Sequence, residues 1–387
     1  YTGQDGLIGG SDVSYYKRYN FRVNSEHKMW NGLVTVGEHV GFVWKDTRGM
    51  GTGNIWNNNL RSAFSASPII PVYDADGNYN STVNSDWNVN DGNPYGNMMV
   101  NRYNNSKNGS LDANVYVQIE PIKNLRFKTV YGISYGASEY RAYTPKYQFT
   151  PQTANTVSKV NQSHGHGLSM VWTNTLSYDF NIATEHHINA LIGSELSTYD
   201  GSNTEGSNTG LIPGFDDWDH AYLVNTNGTE NKTVKGSPYD STRGMSYFAR
   251  LGWTWKERYM VNATMRADGS SKFAKGNRWG YFPSVSAGWT ISEEKFMESV
   301  KSWFDFLKIR VSWGQVGNAN INCYQYLAPV STTNTNYNFG SGGGQDAWVT
   351  GSYTSRLANE KVKWETSEQY NVGTVSYTHL RAHETSA

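Results

Sequence analysis

The chain has 387 residues, of which 37% are hydrophobic and 14% aromatic, and its 33 basic and 33 acidic residues cancel. This charge balance disfavours a role in binding nucleic acid or another polyanion. No apolar run approaches the ~18 residues of a membrane-spanning helix, which excludes helical insertion, whereas the many Tyr and Trp residues suit a membrane interface or a sugar-binding surface.

The first two predicted strands carry an apolar residue at nearly every second position. Their apolar faces are Tyr15, Tyr19, Phe21 and Val23, then Val34, Val36, Val40, Phe42 and Trp44. A side-chain period of two indicates a β-strand with two unlike faces. From about residue 46 to 109 the pattern stops and Asn, Gly, Ser and Asp dominate, which predicts a long polar loop.

Two strand pairs follow this loop. The first runs from Leu111 to Ile119 and from Leu125 to Tyr135, and the tight link at residues 121–124 predicts a hairpin. The second runs from Leu168 to Phe180 and from Ile188 to Leu196, around a turn near residues 181–185. A further polar stretch, about residues 198–243, is predicted to be a loop.

The most regular alternation lies between residues 245 and 313. Its apolar positions are Met245, Tyr247, Ala249, Leu251, Trp253 and Trp255, then Tyr259, Val261, Ala263 and Met265, and later Leu307, Ile309, Val311 and Trp313. Runs of about ten residues exceed the five or six usual in soluble sheets. Long two-faced strands with aromatic ends, joined alternately by short turns and long loops, predict an antiparallel transmembrane β-barrel.

One short helix is predicted within this region, at residues 292–300. Ser292 can cap the free backbone N–H groups, and Ile291 and Phe296 have the spacing of a hydrophobic staple. The acidic Glu293 and Glu294 suit the positive end of a helix dipole.

A set of basic residues falls on the face opposite the apolar stripe: Arg18, Arg22, Arg126, Lys128, Arg250, Arg266, Lys308 and Arg310. A charge facing lipid costs about 2–4 kcal/mol at the midplane of the bilayer, so this register points them into a lumen. There they form a polar wall that contacts a plug or a solute. The alternative is that they lie on the solvated outer face of a soluble sheet.

Several motifs have simpler interpretations than the chemistry they resemble. The G-x-S-x-G pattern at residues 132–136 lies within a strand, whereas a hydrolase nucleophile needs a strand-to-helix turn. Residues 74–78 resemble a calcium loop without its closing acidic ligand and are interpreted as a hairpin tip. His164, His166, His186 and His187 could bind a metal but are interpreted as polar loop histidines, and Cys323 as an inert thiol, so no metal site or cofactor is predicted.

Several blocks of sequence resemble the barrel region of SusC-like (SusC/RagA) TonB-dependent outer-membrane transporters. They include residues 245–259, 266–273 (RADGSSKF), 277–289 (NRWGYFPSVSAGW), 291–297 (ISEEKFM), 307–318 (LKIRVSWGQVGN) and 363–373 (KWETSEQYNVG), with weaker blocks at 19–24 and 67–79. The resemblance implies a 22-stranded barrel with a plugged lumen that imports oligosaccharides or peptides under a SusD-like lipoprotein lid.

The same resemblance implies that this sequence is part of a longer protein. We expect residues 1–373 to form a partial barrel, with the plug, the TonB-contacting region and the closing strands outside the sequence. Residues 374–387 depart from the family pattern and are interpreted as a non-native, adapter-derived tail without a role in the fold.

Exposed loop aromatics are candidates for stacking on the ring of a glycan: Trp56, Trp87, Tyr95, Trp218, Tyr222 and Trp348. Their alternative role is to pack on one another or on a lid protein. No residue is nominated as catalytic, and an enzyme is not expected. The rival to a transporter is a soluble, secreted β-rich carbohydrate-binding or hydrolytic protein, which would seal Leu251, Val261, Val285 and Val311 between stacked sheets.

Overall fold

The structure is a computed structural model of the chain. It describes residues 1–7, 9–49, 58–83, 92–229, 232–300, 305–332, 335–338 and 348–377. Within these residues, no helix has the length and apolar character that crossing a membrane requires.

The chain is built mainly from strands, most of them long. The strands are β1 Thr2–Asp5, β2 Tyr15–Met29, β3 Val34–Arg48, β4 Asn104–Ile122, β5 Leu125–Thr144, β6 Tyr147–Gln148, β7 Ala154–Asn155, β8 Lys159–Ile182, β9 His186–Thr209, β10 Thr233–Trp255, β11 Tyr259–Ser270, β12 Trp279–Thr290, β13 Phe306–Asn318, β14 Val330–Ser331, β15 Asn336–Asn338, β16 Trp348–Thr350, β17 Tyr353–Thr354 and β18 Glu365–Tyr377. Three short helices accompany them: α1 Gly10–Val13, α2 Asn59–Ser65 and α3 Pro94–Val100.

Twelve of the strands form one antiparallel sheet in the order β1-β2-β3-β4-β5-β8-β9-β10-β11-β12-β13-β18. Each long strand pairs with the next long strand along the chain, which is the up-and-down connectivity of a barrel wall. Within the described residues β1 and β18 do not pair with each other, so the sheet stays open. The predicted all-β antiparallel barrel architecture is confirmed as part of a wall.

The apolar stripe is exposed rather than sealed inside the protein. The exposed fractions are 54% for Leu251, 37% for Val261, 44% for Val285 and 44% for Val311. No second sheet covers these side chains in the described part of the chain, where the remaining sheets are two-stranded. The stacked-sheet arrangement of the soluble rival is therefore absent from it.

The exposed apolar face has nearly the same length on many strands. Eleven residues span Met245 to Trp255 in β10, where every outward position is apolar. The ranges Tyr19 to Met29 in β2 and Val34 to Trp44 in β3 have the same length, although Ser25 and His27 interrupt the first and Glu38 the second. A tilted strand needs about 9–11 residues to cross the hydrocarbon core of a bilayer. The stripe thus has the height that one membrane crossing requires.

The two ends of the sheet differ, as predicted. One end carries tight turns, at Lys123–Asn124 between β4 and β5 and at residues 183–185 between β8 and β9. Asn124 and Ala183 adopt positive φ there, at 67° and 53°. The other end carries the long loops.

The strands extend further toward the long-loop end than the apolar pattern indicates. β8 and β9 each have 24 residues, and β9 and β10 pair through the segment predicted to be a loop at residues 198–243. A bulge interrupts that pairing between Tyr239 and Thr242. The prediction of a loop was wrong there because Ser, Thr, Asn and Gly fill both faces of a strand that lies beyond the apolar band.

The predicted helix at residues 292–300 was also wrong in type. Two 3₁₀ turns, Ile291–Glu293 and Lys295–Val300, take its place. Ser292 does not cap them, because its hydroxyl is buried and has no hydrogen-bond partner. Phe296 contacts the edge of Trp289 at a centroid distance of 6.4 Å. The α-helices of the described residues lie elsewhere, in segments for which no helix was predicted.

Residues 374–377 continue β18 and pair with β13, from Thr374 opposite Ile309 to Tyr377 opposite Phe306. Residues 378–387 lie outside the described residues. The non-native origin of the tail stays a prediction.

Candidate functional site

The face of the sheet opposite the apolar stripe is polar and charged. The strand register places all eight of the predicted basic residues on this face, which we call the polar face. For example, Arg126 shares a row with Ser177, Leu191 and Arg250 across four strands. Directly opposed residues in an antiparallel sheet point to the same side, so these rows define one continuous surface.

Arg266 lies in the most highly connected group on the polar face. Its Nε donates to both carboxylate oxygens of Asp268, at 2.7 and 2.9 Å, and its Nη2 donates to the Ser246 hydroxyl at 3.1 Å. Glu195 lies 3.6 Å away, and the Phe248 ring 5.5 Å from the guanidinium carbon. This set ties β9, β10 and β11 together through charge-assisted hydrogen bonds.

Arg126 forms a second group near the tight turns. Its Nε donates to Glu120 at 3.2 Å, and its Nη1 lies 3.5 Å from Asp179. Asn189 donates in turn to Asp179. Lys128 lies two residues further along β5, and its ammonium is 4.0 Å from the centre of the Tyr116 ring in β4.

Lys308 and Arg310 line a small polar cleft on the same face, near the edge of the sheet that β18 forms. The cleft has a volume of about 250 Å³ and is walled also by Asn262, Ser286, Ser312 and Asn371. The Lys308 ammonium lies 2.9 Å from the Met260 sulfur. Two cations beside amide and hydroxyl groups offer donors to a carbonyl, a hydroxyl or an anionic group.

The remaining three basic residues carry no carboxylate partner in the described part of the chain. Arg22 and Arg250 have no ion pair there, and the buried Nε of Arg18 has no hydrogen-bond partner. Like Lys308 and Arg310, these three residues have donors with unused capacity on the polar face.

The structure brings two of the six predicted loop aromatics together. Trp218 and Tyr222 enclose the guanidinium of Arg141, whose carbon lies 3.9 and 4.2 Å from the two ring centres. Tyr103 stacks on Trp218 at 6.2 Å, and Tyr143 packs on Tyr103 at 5.6 Å. Arg141 was not predicted as a site residue, although a basic side chain between Tyr140 and Tyr143 near a strand end was a signal.

This cluster is the main core at the long-loop end of the sheet. Tyr143, Val160, Leu211 and Ala221 are buried together beneath Trp218. The Tyr143 hydroxyl donates to the backbone oxygen of Asp216 at 3.0 Å, and burial raises the pKa of Tyr143 well above its usual range. Trp218 and Tyr222 thus have a packing role in the structure, which is the alternative that the sequence left open.

Tyr95, a third predicted loop aromatic, belongs to a different cluster of rings. Tyr95 packs edge-on against Tyr73 and Tyr79, at 6.2 and 6.1 Å. Trp56 and Trp87 lie outside the described residues, as does the side chain of Trp348.

An open cleft lies between the loops that carry these rings. Its volume is about 600 Å³, and its walls include Tyr79, Tyr103, Tyr147, Asp216 and Trp218. The cleft combines aromatic faces with carboxylate and amide groups, a mixture that suits contact with a polar ring.

A family model described as TonB dependent receptor-like, beta-barrel matches residues 45–385. The chain belongs to this family. TonB-dependent receptor P26 of Formosa agariphila is 27% identical to it over 386 residues, which cover 96% of this chain and 35% of that receptor. TonB-dependent receptor SusC of Bacteroides thetaiotaomicron is 41% identical over 132 residues, covering 33% of this chain and 12% of SusC.

Among solved structures, the RagAB peptide importer in its closed-closed state superposes with a TM-score of 0.77 at 21% identity, covering 97% of this chain and 39% of that one. This similarity shows a shared fold. The chain spans about a third of the length of the curated relatives that it matches. The SusC-like TonB-dependent family predicted from the sequence is thereby confirmed.

As a TonB-dependent receptor barrel, the sheet should have aromatic side chains at the membrane interface. At the tight-turn end His186, Trp255, Tyr259 and Trp289 stack in succession with centroid distances of 5.4–6.2 Å. Rings of this kind sit at the headgroup level of membrane barrels. Glu294 accepts hydrogen bonds from Tyr259, Trp289 and Arg258 beside them.

The motifs that suggested other chemistry have structural roles in this receptor barrel. Ser134 lies in β5, and its hydroxyl donates to Asp112 at 2.5 Å on the neighbouring strand. Asp74 accepts hydrogen bonds from the backbone of Asp76 and Asn78 in the turn that Gly77 completes with φ 82°. The prediction of loop histidines was wrong, because β8 and β9 extend beyond their apolar positions and contain all four of these residues: His164, His166, His186 and His187. The part of the chain that the structure describes holds no group of three His, Cys, Asp or Glu side chains suited to a metal ion. The relatives are named receptors and importers rather than enzymes.

Proposed function

We propose that this chain is part of the wall of an outer-membrane TonB-dependent importer for oligosaccharides or oligopeptides. The observation that carries the proposal is the division of one 12-stranded sheet into an exposed apolar face of membrane height and a charged opposite face. An apolar outside and a polar inside are what a lipid-embedded barrel with an aqueous lumen requires. We call the longer protein of which this chain would be part the full-length receptor.

The polar face supplies the wall of the solute path. Arg18, Arg22, Arg126, Lys128, Arg250, Arg266, Lys308 and Arg310 point into the lumen in this proposal, where they contact a plug or the passing solute. The paired residues, such as Arg266 with Asp268, hold the wall rigid. Those without a carboxylate partner in the described residues offer donors to the solute. The receptor binds and passes its solute without converting it.

The loops at the opposite end from the tight turns face the cell exterior in this proposal. Their aromatics contact the solute or the lid: Trp56, Trp87, Tyr95, Trp218, Tyr222 and Trp348. The 600 Å³ cleft beside Trp218 supports this role, because aromatic faces next to carboxylates suit sugar rings and peptide side chains.

The proposed partners are a SusD-like lipoprotein over the loops and the TonB complex, which would contact a region outside this sequence. The support comes from the similarity to the TonB-dependent receptor SusC and from the shared fold with the RagAB peptide importer. Residues 1–373 form the barrel part in this account, and residues 374–387 are a non-native tail. Resequencing the genomic locus tests the tail: native DNA that encodes the same residues after Gly373 would refute it.

The test of function is an uptake assay on a strain that lacks the full-length receptor. Labelled neutral oligosaccharides and labelled oligopeptides are supplied separately, and the deletion should abolish uptake of one class and leave the other unchanged. Membrane fractionation of the tagged receptor is the companion measurement. Recovery of the receptor in the soluble periplasm or in the medium would overturn the proposal in favour of a secreted binding protein.

A further inference from the structure

The cleft beside Lys308 and Arg310 depends on two glycines that flank the arginine. Arg310 pairs with Gly288 of β12 on one side and with Gly373 of β18 on the other. A Cβ added to Gly373 would lie 3.0 Å from the Arg310 Nε, and one added to Gly288 would lie 3.1 Å from the Lys308 Cε. The two missing side chains leave room for the cations to lie over the sheet, and they open the space of about 250 Å³ that the cations line.

A single row of neutral polar side chains forms the wall of the cleft toward the long-loop end. The strand register places Asn262, Ser286, Ser312 and Asn371 side by side across β11, β12, β13 and β18. None of these four side chains makes a hydrogen bond within the described residues. Amide and hydroxyl groups both donate and accept, so the row offers partners for the N–H and the C=O of a peptide group.

Carboxylates are scarce on this part of the polar face. From residue 245 of β10 through β11, β12, β13 and β18, all of them described, the strands present only Asp268 and Glu365 on this face. Arg266 lies 2.7 Å from Asp268, and Glu365 accepts a hydrogen bond from Asn318 at the long-loop end of β13. Both carboxylates are therefore engaged away from the cleft.

Lys308 and Arg310 have no carboxylate partner at the tight-turn end either. Glu294 pairs with Arg258 at 3.1 Å, and the exposed Glu293 forms no ion pair within the described residues. The two cations lie about 7 Å apart along the strand, because they are two residues apart. The residues directly opposite them on the neighbouring strands are neutral: Thr290, Gly288, Val375 and Gly373.

The size of the cleft favours the end of a chain over its middle. Ligand pockets usually enclose about 300–1,000 Å³, which is more than this cleft holds. A carboxylate on a ring in the middle of an acidic oligosaccharide needs room for the chain on both sides. A peptide carries a carboxylate at its end, which enters a small space without the rest of the chain.

We propose that Lys308 and Arg310 bind the C-terminal carboxylate of an oligopeptide that passes along the polar face. The inference rests on the proposed function, because it requires the polar face to line the path of the solute, and it selects peptides from the two proposed classes. Ammonium and guanidinium groups bind a carboxylate through charge-assisted hydrogen bonds. The row of Asn and Ser side chains bonds the last peptide groups of the chain.

The experiment is a calorimetric titration of the full-length receptor in lipid nanodiscs, with tetraalanine and its C-terminal amide as probes. The two peptides differ only at the chain end, which is charged in one and neutral in the other. The variant K308Q/R310Q removes both cations and keeps polar side chains in the cleft. The matched control K28Q/K45Q removes two charges from the polar face of β2 and β3. R310K is a second variant, which keeps the charge and loses the planar guanidinium.

The unaltered receptor should bind tetraalanine about tenfold to hundredfold more tightly than the amide, because the charge-assisted hydrogen bonds are lost with the charge. K308Q/R310Q should bind the two peptides equally, K28Q/K45Q should keep the full difference, and R310K should keep part of it. Equal affinities of the unaltered receptor for the two peptides, or a difference that persists in K308Q/R310Q, would overturn the inference.

Two further ligands separate a peptide site from a general site for carboxylates. Acetate at the concentration of tetraalanine should not displace it, because acetate lacks the peptide groups that the polar row bonds. Digalacturonate should bind more weakly than tetraalanine, because its carboxylates are carried by rings. Displacement by acetate, or tighter binding of digalacturonate, would overturn the assignment to peptides.

Failure of this inference and failure of the proposed function give different results. A receptor that fractionates with the outer membrane and fails these titrations contradicts the peptide carboxylate site alone. A receptor recovered in a soluble fraction contradicts the proposed function as well.

Discussion

The indole N–H of Trp289 donates a hydrogen bond to Glu294 at 3.0 Å while its ring lies nearly parallel to that of Tyr259, 6.2 Å away. One carboxylate thus joins the aromatic row at the tight-turn end to the 3₁₀ turns between β12 and β13. Arg258 completes the set with its own hydrogen bond to Glu294 at 3.1 Å.

The substitution Glu294→Ala should loosen this end of the sheet. Trp289, Tyr259 and Arg258 would each lose a hydrogen-bond acceptor, and the segment Lys295–Val300 would lose its attachment to the strands. Hydrogen exchange of that segment in the full-length receptor should become faster. The matched control is Glu298→Ala, an exposed neighbour with no hydrogen bond or ion pair in the described residues. Equal acceleration in both variants would show that Glu294 has no special part in holding the segment.

The same group gives a pH dependence with a defined sign. The Tyr259 hydroxyl that donates to Glu294 holds the pKa of this carboxyl below its ordinary value of 4.5, and Trp289 and Arg258 act in the same direction. A depressed pKa means that the stabilisation is fully present above about pH 4.5 and is lost as the pH falls through the lower, folded-state value. The protection of the segment against exchange, measured relative to the intrinsic exchange rate at each pH, should therefore fall below about pH 4.5, and Glu294→Gln should remove this loss of protection. Persistence of the effect in Glu294→Gln would assign it to another group.

A lysine on the apolar face should be far more damaging than one on the polar face. Leu251 and Asn262 suit the comparison because Asn262 pairs with Gly252, the residue next to Leu251. Leu251→Lys should reduce the free energy of unfolding in lipid by about 2–4 kcal/mol, whereas Asn262→Lys should change it by less than about 1 kcal/mol. The measurement is urea unfolding of the full-length receptor in lipid vesicles. A larger loss from Asn262→Lys would invert the assignment of the faces.

Arg266 should contribute to stability through its partners rather than through its charge alone. Arg266→Gln should lower the free energy of unfolding by about 1 kcal/mol, since the side chain is partly exposed and solvent screens the ion pairs. The control is Arg250→Gln, because Arg250 lies on the same face without an ion pair in the described residues and should change stability less. A double-mutant cycle with Glu195→Gln measures the coupling across the 3.6 Å contact. A coupling energy of zero would leave Asp268 and Ser246 as the only partners that matter.

The part of the fold that crosses the membrane could be predicted from the sequence. Lipid demands an apolar side chain at every second position, and a run such as Leu251, Trp253 and Trp255 therefore appears directly in the sequence. The tight turns could be predicted for a related reason, because the alternation stops for only a few residues between Ile182 and His186.

The upper parts of β8, β9 and β10 could not be predicted in the same way. Water lies on both sides of these segments, so no alternation is imposed on residues such as Ser202 and Thr204, and the backbone pairing alone makes them strands. The 3₁₀ turns were mistaken for a capped helix because Ser292 has the sequence position of a cap. Its side chain is buried against the sheet instead.

The candidate site was predictable in its composition and only partly in its contacts. The alternation of apolar and polar residues was enough to predict that Arg250 and Arg266 share a face, because both occupy positions opposite the apolar side of their strands. The pairing of Arg266 with Glu195, and the enclosure of Arg141 by Trp218 and Tyr222, depend on neighbours 71 or more residues apart in the chain. Such contacts are set by strand order and loop conformation, which local patterns do not encode.

The most direct test of the two-faced sheet is a spin-label scan of β10 in the full-length receptor, in lipid vesicles. Single cysteines replace residues 245–255 one at a time in a Cys323→Ser background, and the accessibility of each label to oxygen and to a water-soluble nickel complex is measured. The account predicts a period of two, with odd positions such as 249 and 251 reached by oxygen and even positions such as 250 and 252 reached by nickel. Uniform accessibility along the strand, or odd positions closed to both reagents, would contradict it.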